Sequence, residues 1–342
     1  MKDVLFIAYF FSELDGVGAL RSRSMVRFLK EKGVRVEVIA RDSFGGIGKK
    51  NFYVWTILCI FKLLFSKQKN VYISCGPFNH LLPLSLACFM RKKKLIVDFR
   101  DPWSINIKTG YGKSGAKISK FKLFVSSRIE QLVYKICKHF IVCTKGMKSY
   151  YQKLFGNDIK IRLIMNGYDF DIGEMDKYKD SDIKNNGVLK FVCLGKFAEY
   201  DEQKAHQAIS KIKDIKNEGY SVHIYFVGTN KEPTLSILKQ YKLDDCSTFY
   251  PRMPYKEALK IAINCNIGML IVRNEEIEYG TKVFDYIGLG LPVLDIFDHS
   301  NNFYKEFKNI LNLSQSFSEI PKDIRSLYSR DRNFTAILHL LH

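Results

Sequence analysis

Short continuous apolar runs alternate along the chain with longer stretches in which apolar residues recur at helical spacing. Val4-Leu5-Phe6-Ile7-Ala8 and the run from Val34 to Ala40 suit strands buried on both faces. Between them Leu20, Met25, Phe28 and Leu29 follow a helical period, and Gly33 comes next as a C-cap. Val71 to Ser74, Lys94 to Phe99, Phe140 to Cys143 and Ile161 to Ile164 continue the strand series, with helical patterns between most of them. This alternation predicts an α/β fold with a parallel sheet covered by helices on both sides.

The pattern pauses and then restarts. Residues 169–188 include DIGEMDKYKDSDIKNNGV, polar, acidic and poor in apolar positions, and read as a linker. Beyond it Leu189 to Leu194, Val222 to Val227, Ser247 to Tyr250, Ile267 to Val272 and Pro292 to Ile296 are strand candidates. Two α/β domains in tandem are therefore expected, 1–168 and 189–323, with a ligand cleft between them. A last helix, about 324–342, is expected to pack back on the first domain. One stretch, FYVWTILCIFKLLF from Phe52 to Phe65, is apolar enough to suggest a membrane span. It has about 14 residues where a span needs about 20, and it contains Lys62, so a packed or interfacial helix is expected.

Composition sharpens the picture in two ways. The eight cysteines form no Cys-x-x-Cys pair and several sit in apolar runs, which reads as reduced, structural thiols. The opening apolar run is too short for a signal peptide, and together these features point to a cytoplasmic protein. Charge is distributed unevenly. Of the 54 Lys and Arg and 35 Asp and Glu, 31 and 11 fall in residues 1–170, leaving 23 and 24 beyond. The net charge of +19 thus belongs to the first half, which points to a polyanionic partner there: an anionic membrane, a nucleic acid or a phosphorylated substrate.

Candidate chemistry lies where strands end. Gly16 and Gly18 follow the first strand, so that backbone N–H groups and a helix N-terminus can approach a phosphate or sugar, with Arg21 and Arg23 just beyond. Arg21 occupies the third glycine position of a dinucleotide fingerprint, which argues against a dinucleotide-dependent oxidoreductase. Asp98, Arg100 and Asp101 cluster at the end of the fourth strand, on the ligand side of a parallel sheet. In the second half Gly195 and Lys196 follow a strand and Lys204 comes eight residues later, a basic pair able to bracket a diphosphate. Gly280-Thr281-Lys282 opens a helix carrying Asp285 one turn in, an arrangement suited to an anion at the helix N-terminus and a ribose hydroxyl on Asp285.

These landmarks, taken in order, resemble family 4 of the retaining glycosyltransferases, in the group with a DFRDPW-type acceptor domain. The likeness runs over nearly the full length: GVGALRSR (16–23), DFRDPW (98–103), IMNGYD (164–169), LGK (194–196), FVGTN (226–230) and GTKVFDYIGLGLPVL (280–294). It implies a GT-B fold of two Rossmann-like domains, a nucleotide-diphospho-sugar bound on the C-terminal side, an acceptor on the N-terminal side, and no metal or other cofactor. Lys196, Lys204, Arg100 and Asp101 become catalytic candidates. Gly16, Gly18, Gly195, Glu278, Gly280, Thr281, Lys282 and Asp285 become donor-side residues, and Arg21, Arg23 and Asp98 acceptor-side ones. Asp285 stands where relatives carry the second glutamate of a Glu-x7-Glu motif. The first falls at Ile277, with Glu278 adjacent. The implied partner is a glycan or lipid-linked acceptor at an anionic membrane rather than a nucleic acid, with the protein peripheral on the membrane's inner face. A non-catalytic GT-B subunit of a glycan-assembly complex is the alternative.

Overall fold

A computed structural model describes residues 3–110, 119–156, 159–180 and 187–341. The chain divides into two compact units, Met1–Met165 with Asn333–His342, and Asn166–Arg332.

The first unit runs β1 (Asp3–Ala8), α1 (Val17–Glu31), β2 (Arg35–Ile39), α2 (Ser43–Lys50), α3 (Phe52–Phe65), β3 (Asn70–Cys75), α4 (Leu81–Met90), β4 (Lys94–Phe99), α5 (Trp103–Lys108), α6 (Lys120–Ile136), β5 (His139–Val142), α7 (Lys145–Phe155) and β6 (Ile161–Leu163). Its six strands are parallel in the order β2-β1-β3-β4-β5-β6. Val4, Leu5, Phe6 and Ile7 are fully buried, as a strand inside such a sheet requires. Strand order reverses beside β1, and there the carboxyl ends of parallel strands form a crevice. One side of the core joins α1 to Phe334, Ile337 and Leu341, with the Phe28 and Phe334 rings edge to face at 6.1 Å.

The apolar stretch Phe52–Phe65 is a single helix. Asn51 caps it by accepting from the Tyr53 and Val54 N–H groups. Its inner stripe of Trp55, Cys59 and Leu63 is buried, and the Trp55 indole donates to the Ala40 carbonyl at 2.7 Å. Among the described residues no helix is long and apolar enough to cross a membrane.

The second unit contains α8 (Ile172–Asp176), β7 (Val188–Leu194), α9 (Glu202–Asn217), β8 (Ser221–Val227), α10 (Lys231–Gln240), β9 (Ser247–Tyr250), α11 (Tyr255–Ala262), β10 (Ile267–Met269), α12 (Lys282–Leu289), α13 (Asn302–Asn312) and α14 (Lys322–Ser326). A final helix, α15 (Arg330–Leu340), carries the chain back into the first unit from Asn333 onward. The four strands are parallel in the order β10-β7-β8-β9. Residues 166–180 and 187–188 belong to this second unit, where Asp176 accepts from Arg325; 181–186 lie outside the described residues.

Two strand expectations shrink. β10 stops at Met269 rather than Val272, and Pro292 to Ile296 contributes one bridge, Gly268 with Val293. The cause lies in α12. The Tyr286 hydroxyl reaches the Met269 and Val192 carbonyls at 3.0 and 3.2 Å and accepts the Leu194 N–H, so a side chain ties β10 to β7 at their ends. Its ring lies so close to Gly268 that a Cβ there would stand 2.5 Å from it. Past this point the chain turns out of the sheet and offers its carbonyls elsewhere, Val272 to the Lys204 ammonium.

Candidate active site

In the first unit, the crevice end of the sheet is organised by two arginines. Arg21 is buried and bidentate to Asp98, at 2.8 and 3.0 Å, and also donates to the Ile164 and Met165 carbonyls. Tyr72 donates to the same carboxylate at 2.7 Å. The side chains of Arg21 and Asp98 are only 4% and 2% exposed, which leaves neither a face toward a ligand. Burial opposes the guanidinium charge, yet the charge and hydrogen bonds of Asp98 outweigh it and hold the Arg21 pKa above its usual value. Arg21 and Asp98 thus form a buried pair that joins β4, α1 and the chain after β6.

Arg100 stays at the rim. Its guanidinium donates to the Gly18 carbonyl and, at 3.4 Å, to that of Cys75, tying the glycine loop to the end of β3. Gly16 precedes α1 with φ of 61°, in the left-handed region. Asp101 is exposed, and Arg23 forms a surface pair with Glu13 at 2.5 Å. Directly after Asp101, α5 begins with its Ser104 N–H bonded at 3.1 Å to the buried Glu130 carboxylate of α6. Glu130 also accepts from the Ser104 hydroxyl and from Tyr151. Burial pushes its pKa up to about 7, against these hydrogen bonds, which favour the charged form.

In the second unit the strand ends carry more reachable chemistry. Gly195 follows β7 with φ of +89°, a conformation that disfavours any side chain, and its carbonyl accepts from Thr229 at 2.5 Å. Lys196 is exposed, its ammonium 5.3 Å from the centre of the Tyr200 ring, while the Arg273 guanidinium lies 5.1 Å from the same ring. Glu199 braces this loop, accepting from the Phe197 and Asn230 N–H groups. Asp201 caps α9 through the Lys204 N–H, which puts Lys204 in the helix's first turn.

The Lys204 ammonium bonds the Glu275 carboxylate at 2.6 Å as well as the Val272 carbonyl. Glu275 is buried and accepts further from the Asp298 N–H and the Asn301 amide. Sequence reasoning missed Glu275. It is 71 residues from Lys204, and no local pattern announces it. Lys204 is therefore an ion-paired cation. The pair still borders open space: a cavity of about 490 Å³ is lined by Lys204, Glu275, Gln207, Lys211 and Asp298 among others.

The α12 motif closes the group. Gly280 leads into the helix close to Leu270, just past β10, and Thr281 sits at the N-cap without bonding a helix N–H through its side chain. Lys282 reaches Asp285 at 3.2 Å and the Tyr255 hydroxyl donates to it at 2.5 Å, so both carboxylate oxygens have partners. Burial and the Asp285 charge raise the Tyr255 pKa well above its usual value, keeping it a hydroxyl that donates. Ile277 is buried and Glu278 half-buried, its N–H bonded to the Asn274 carbonyl at 2.7 Å. Gly288 explains one of the motif's glycines, because a Cβ there would meet the rings of Tyr168 and Phe170 at 2.6 Å.

No family model matches the chain, and no curated protein matches it. Solved structures do. The chain is similar to sucrose-phosphate synthase from Thermosynechococcus elongatus at 12% identity, covering 99% of this chain and 98% of that one with a TM-score of 0.66. It is similar to the lipopolysaccharide outer core galactosyltransferase WaaB at 9% identity, covering 99% of each chain with a TM-score of 0.59. It is also similar to UDP-GlcNAc 2-epimerase from Methanocaldococcus jannaschii, at 14% identity, 100% and 99% coverage and a TM-score of 0.55. At such identities the likeness establishes the architecture. The fold is GT-B, two parallel-sheet α/β units in one chain.

Proposed function

We propose that this protein is a retaining glycosyltransferase of the family 4 type that moves a sugar from a nucleotide-diphospho-sugar to a glycan or lipid-linked acceptor of the cell envelope. One observation carries the reading: in the second unit the Lys204–Glu275 pair lines an open cavity, the exposed Lys196 follows β7, and Asp285 lies in the first turn of α12. Such a set suits a nucleoside diphosphate, its ribose on Asp285 and its charge met by ammonium groups and helix N–H donors. The solved structures named above include a galactosyltransferase and a sucrose-phosphate synthase, which supports the same reading.

In this reading Lys196 and Lys204 stabilise the leaving diphosphate without a metal, and Gly195, Gly280, Thr281, Lys282 and Glu278 shape the donor pocket. Gly16 and Gly18 are donor-side residues as well, and Arg100 and Asp101 act on the transferred sugar. Charge on the β-phosphate grows as the sugar–oxygen bond breaks, so a fixed ammonium favours the transition state over the bound donor. The basic surplus of residues 1–170 supports an acceptor held at an anionic membrane, with the protein peripheral on its cytoplasmic side and nucleic acid no part of its work. Within that surplus, Lys113 and Lys117 lie outside the described residues.

Lys196→Ala tests the reading most cleanly, since the side chain is exposed and its loss leaves no buried charge. Turnover should drop by about 10²–10³-fold with a much smaller change in the donor's KM. Lys204→Ala should also lower turnover, accompanied by lost stability because Glu275 is left without its cation. Near-parental turnover in Lys196→Ala would remove the role assigned to it. A nucleotide-sugar consumed without any acceptor would favour an epimerase, the activity named for one structural neighbour. Failure to bind any nucleoside diphosphate would favour the non-catalytic subunit, which the occupied Asp285 carboxylate and the Ile277 position also suit.

A further inference from the structure

Right-handed crossovers from β2 to β3 and from β3 to β4 place α3 and α4 side by side on one face of the first unit's sheet, and the two helices are in contact. The outward stripe of a surface helix is ordinarily polar. On α3 it is not. Tyr53, Ile57, Phe61 and Phe65 succeed one another four residues apart and all are exposed, Phe65 to 82%. α4 ends in the same way, with Phe89 and Met90 exposed to 68% and 66%.

The ends of these two helices are laced together. Lys93, in the turn after α4, donates to the Ser66 carbonyl, the Ser66 hydroxyl and the Gln68 carbonyl just past α3. Its neighbours Arg91 and Lys92 are exposed, as are Lys67 and Lys69 on the other strand-side turn. Neither helix nor the 91–94 turn contains an acidic residue, and the nearby Glu37 is already paired with Lys62 at 2.6 Å. A row of large apolar groups thus borders a ring of positive charge.

We infer that the outward face of α3 and the end of α4 form a membrane-insertion surface, lying in the interface of a bilayer that carries anionic headgroups. The inference rests on the membrane-side reading of the function and adds the face that makes the contact. Aromatic and aliphatic side chains enter the headgroup–acyl boundary while Arg91 and Lys92 meet the lipid charge. A second copy of this chain fits the same face poorly, since two such surfaces would bring like charge together.

Co-sedimentation of the full chain with vesicles tests this, using phosphatidylglycerol mixed with phosphatidylcholine against phosphatidylcholine alone. The parent should bind the anionic vesicles more strongly. At about 1 M salt, where screening acts over about 3 Å, a share should remain bound through the apolar groups. The variant Phe61→Ser/Phe65→Ser/Phe89→Ser should lose that share on the order of tenfold, with its thermal midpoint unchanged because all three side chains are exposed. Arg91→Gln/Lys92→Gln should weaken low-salt binding and leave the salt-resistant share. Independently of the triple variant's folding, Phe65→Trp should show emission quenched by brominated acyl chains. Equal binding by parent and triple variant, no binding to anionic vesicles, or a parent dimer that the triple variant makes monomeric would overturn the inference. Nucleoside diphosphate binding measured without vesicles reports separately on the glycosyltransferase reading, so the two can fail apart.

Discussion

Both units bury carboxylates near their strand ends, and the two units use them differently. In the first, Asp98 is held by Arg21 and Tyr72, and Glu130 by Ser104 and Tyr151, with no more than a few per cent of any carboxylate exposed. In the second, Glu275 holds Lys204 at the wall of an open cavity, and Asp285 sits in the first turn of α12. Similar hydrogen-bond geometry therefore serves two ends. What separates them is whether solvent, and so a ligand, reaches the cation: the Lys204 side chain is 18% exposed and that of Arg21 is 4%.

That contrast is broken most severely at Arg21. Arg21→Met leaves the Asp98 charge buried without its cation and should lower unfolding free energy by about 3–5 kcal/mol in urea titrations. Adding Asp98→Asn should recover part of the loss, since no unpaired charge then remains. A double variant as unstable as the single would show that the loss measures packing and not the pair.

Glu130 gives the next effect. Its folded pKa, about 7, lies above the usual 4.5, so between those values the folded state holds the proton more tightly. Stability should therefore fall as pH rises through that window and level off above it, by an amount on the order of 3 kcal/mol. Glu130→Gln, which keeps the shape, should flatten the dependence. Urea midpoints at about pH 5 and about pH 8 compare the two, and an equal slope in both proteins would assign the dependence to another group.

The smallest effect belongs to the second unit and falls on binding. Asp285→Asn removes a charged acceptor from the expected ribose contact and should weaken nucleoside diphosphate binding by roughly 1.5–3 kcal/mol in calorimetric titration. Asp285→Glu should be mild. If Asp285→Asn instead lost stability with binding intact, Asp285 would belong with Asp98 as a structural carboxylate, and the contrast between the units would close.

Much of this was legible in the chain. The strand Ser247–Tyr250 and the helix Phe52–Phe65 fall where apolar pattern puts them. The glycine-rich end of α12 reads as a helix stop, which Gly290 in the left-handed region supplies. Pro292 to Ile296 misled because an apolar run looks alike whether it pairs along its length or only at Val293. At the site, the sequence marked Lys204, Arg21 and Asp98 as chemically able but gave no sign of which were already paired.

By itself, then, the sequence determined the order of strands and helices, the two-unit α/β plan and the concentration of positive charge in residues 1–170. Those properties depend on near neighbours or on simple sums. Only the tertiary structure decided that Arg21 closes on Asp98 and Lys204 on Glu275, pairs 77 and 71 residues apart. It also decided that the outer stripe of α3 is left uncovered, since the same apolar residues would read identically in a helix buried all round. Burial and partnership arise from packing between distant segments, and local pattern carries no record of which segments meet.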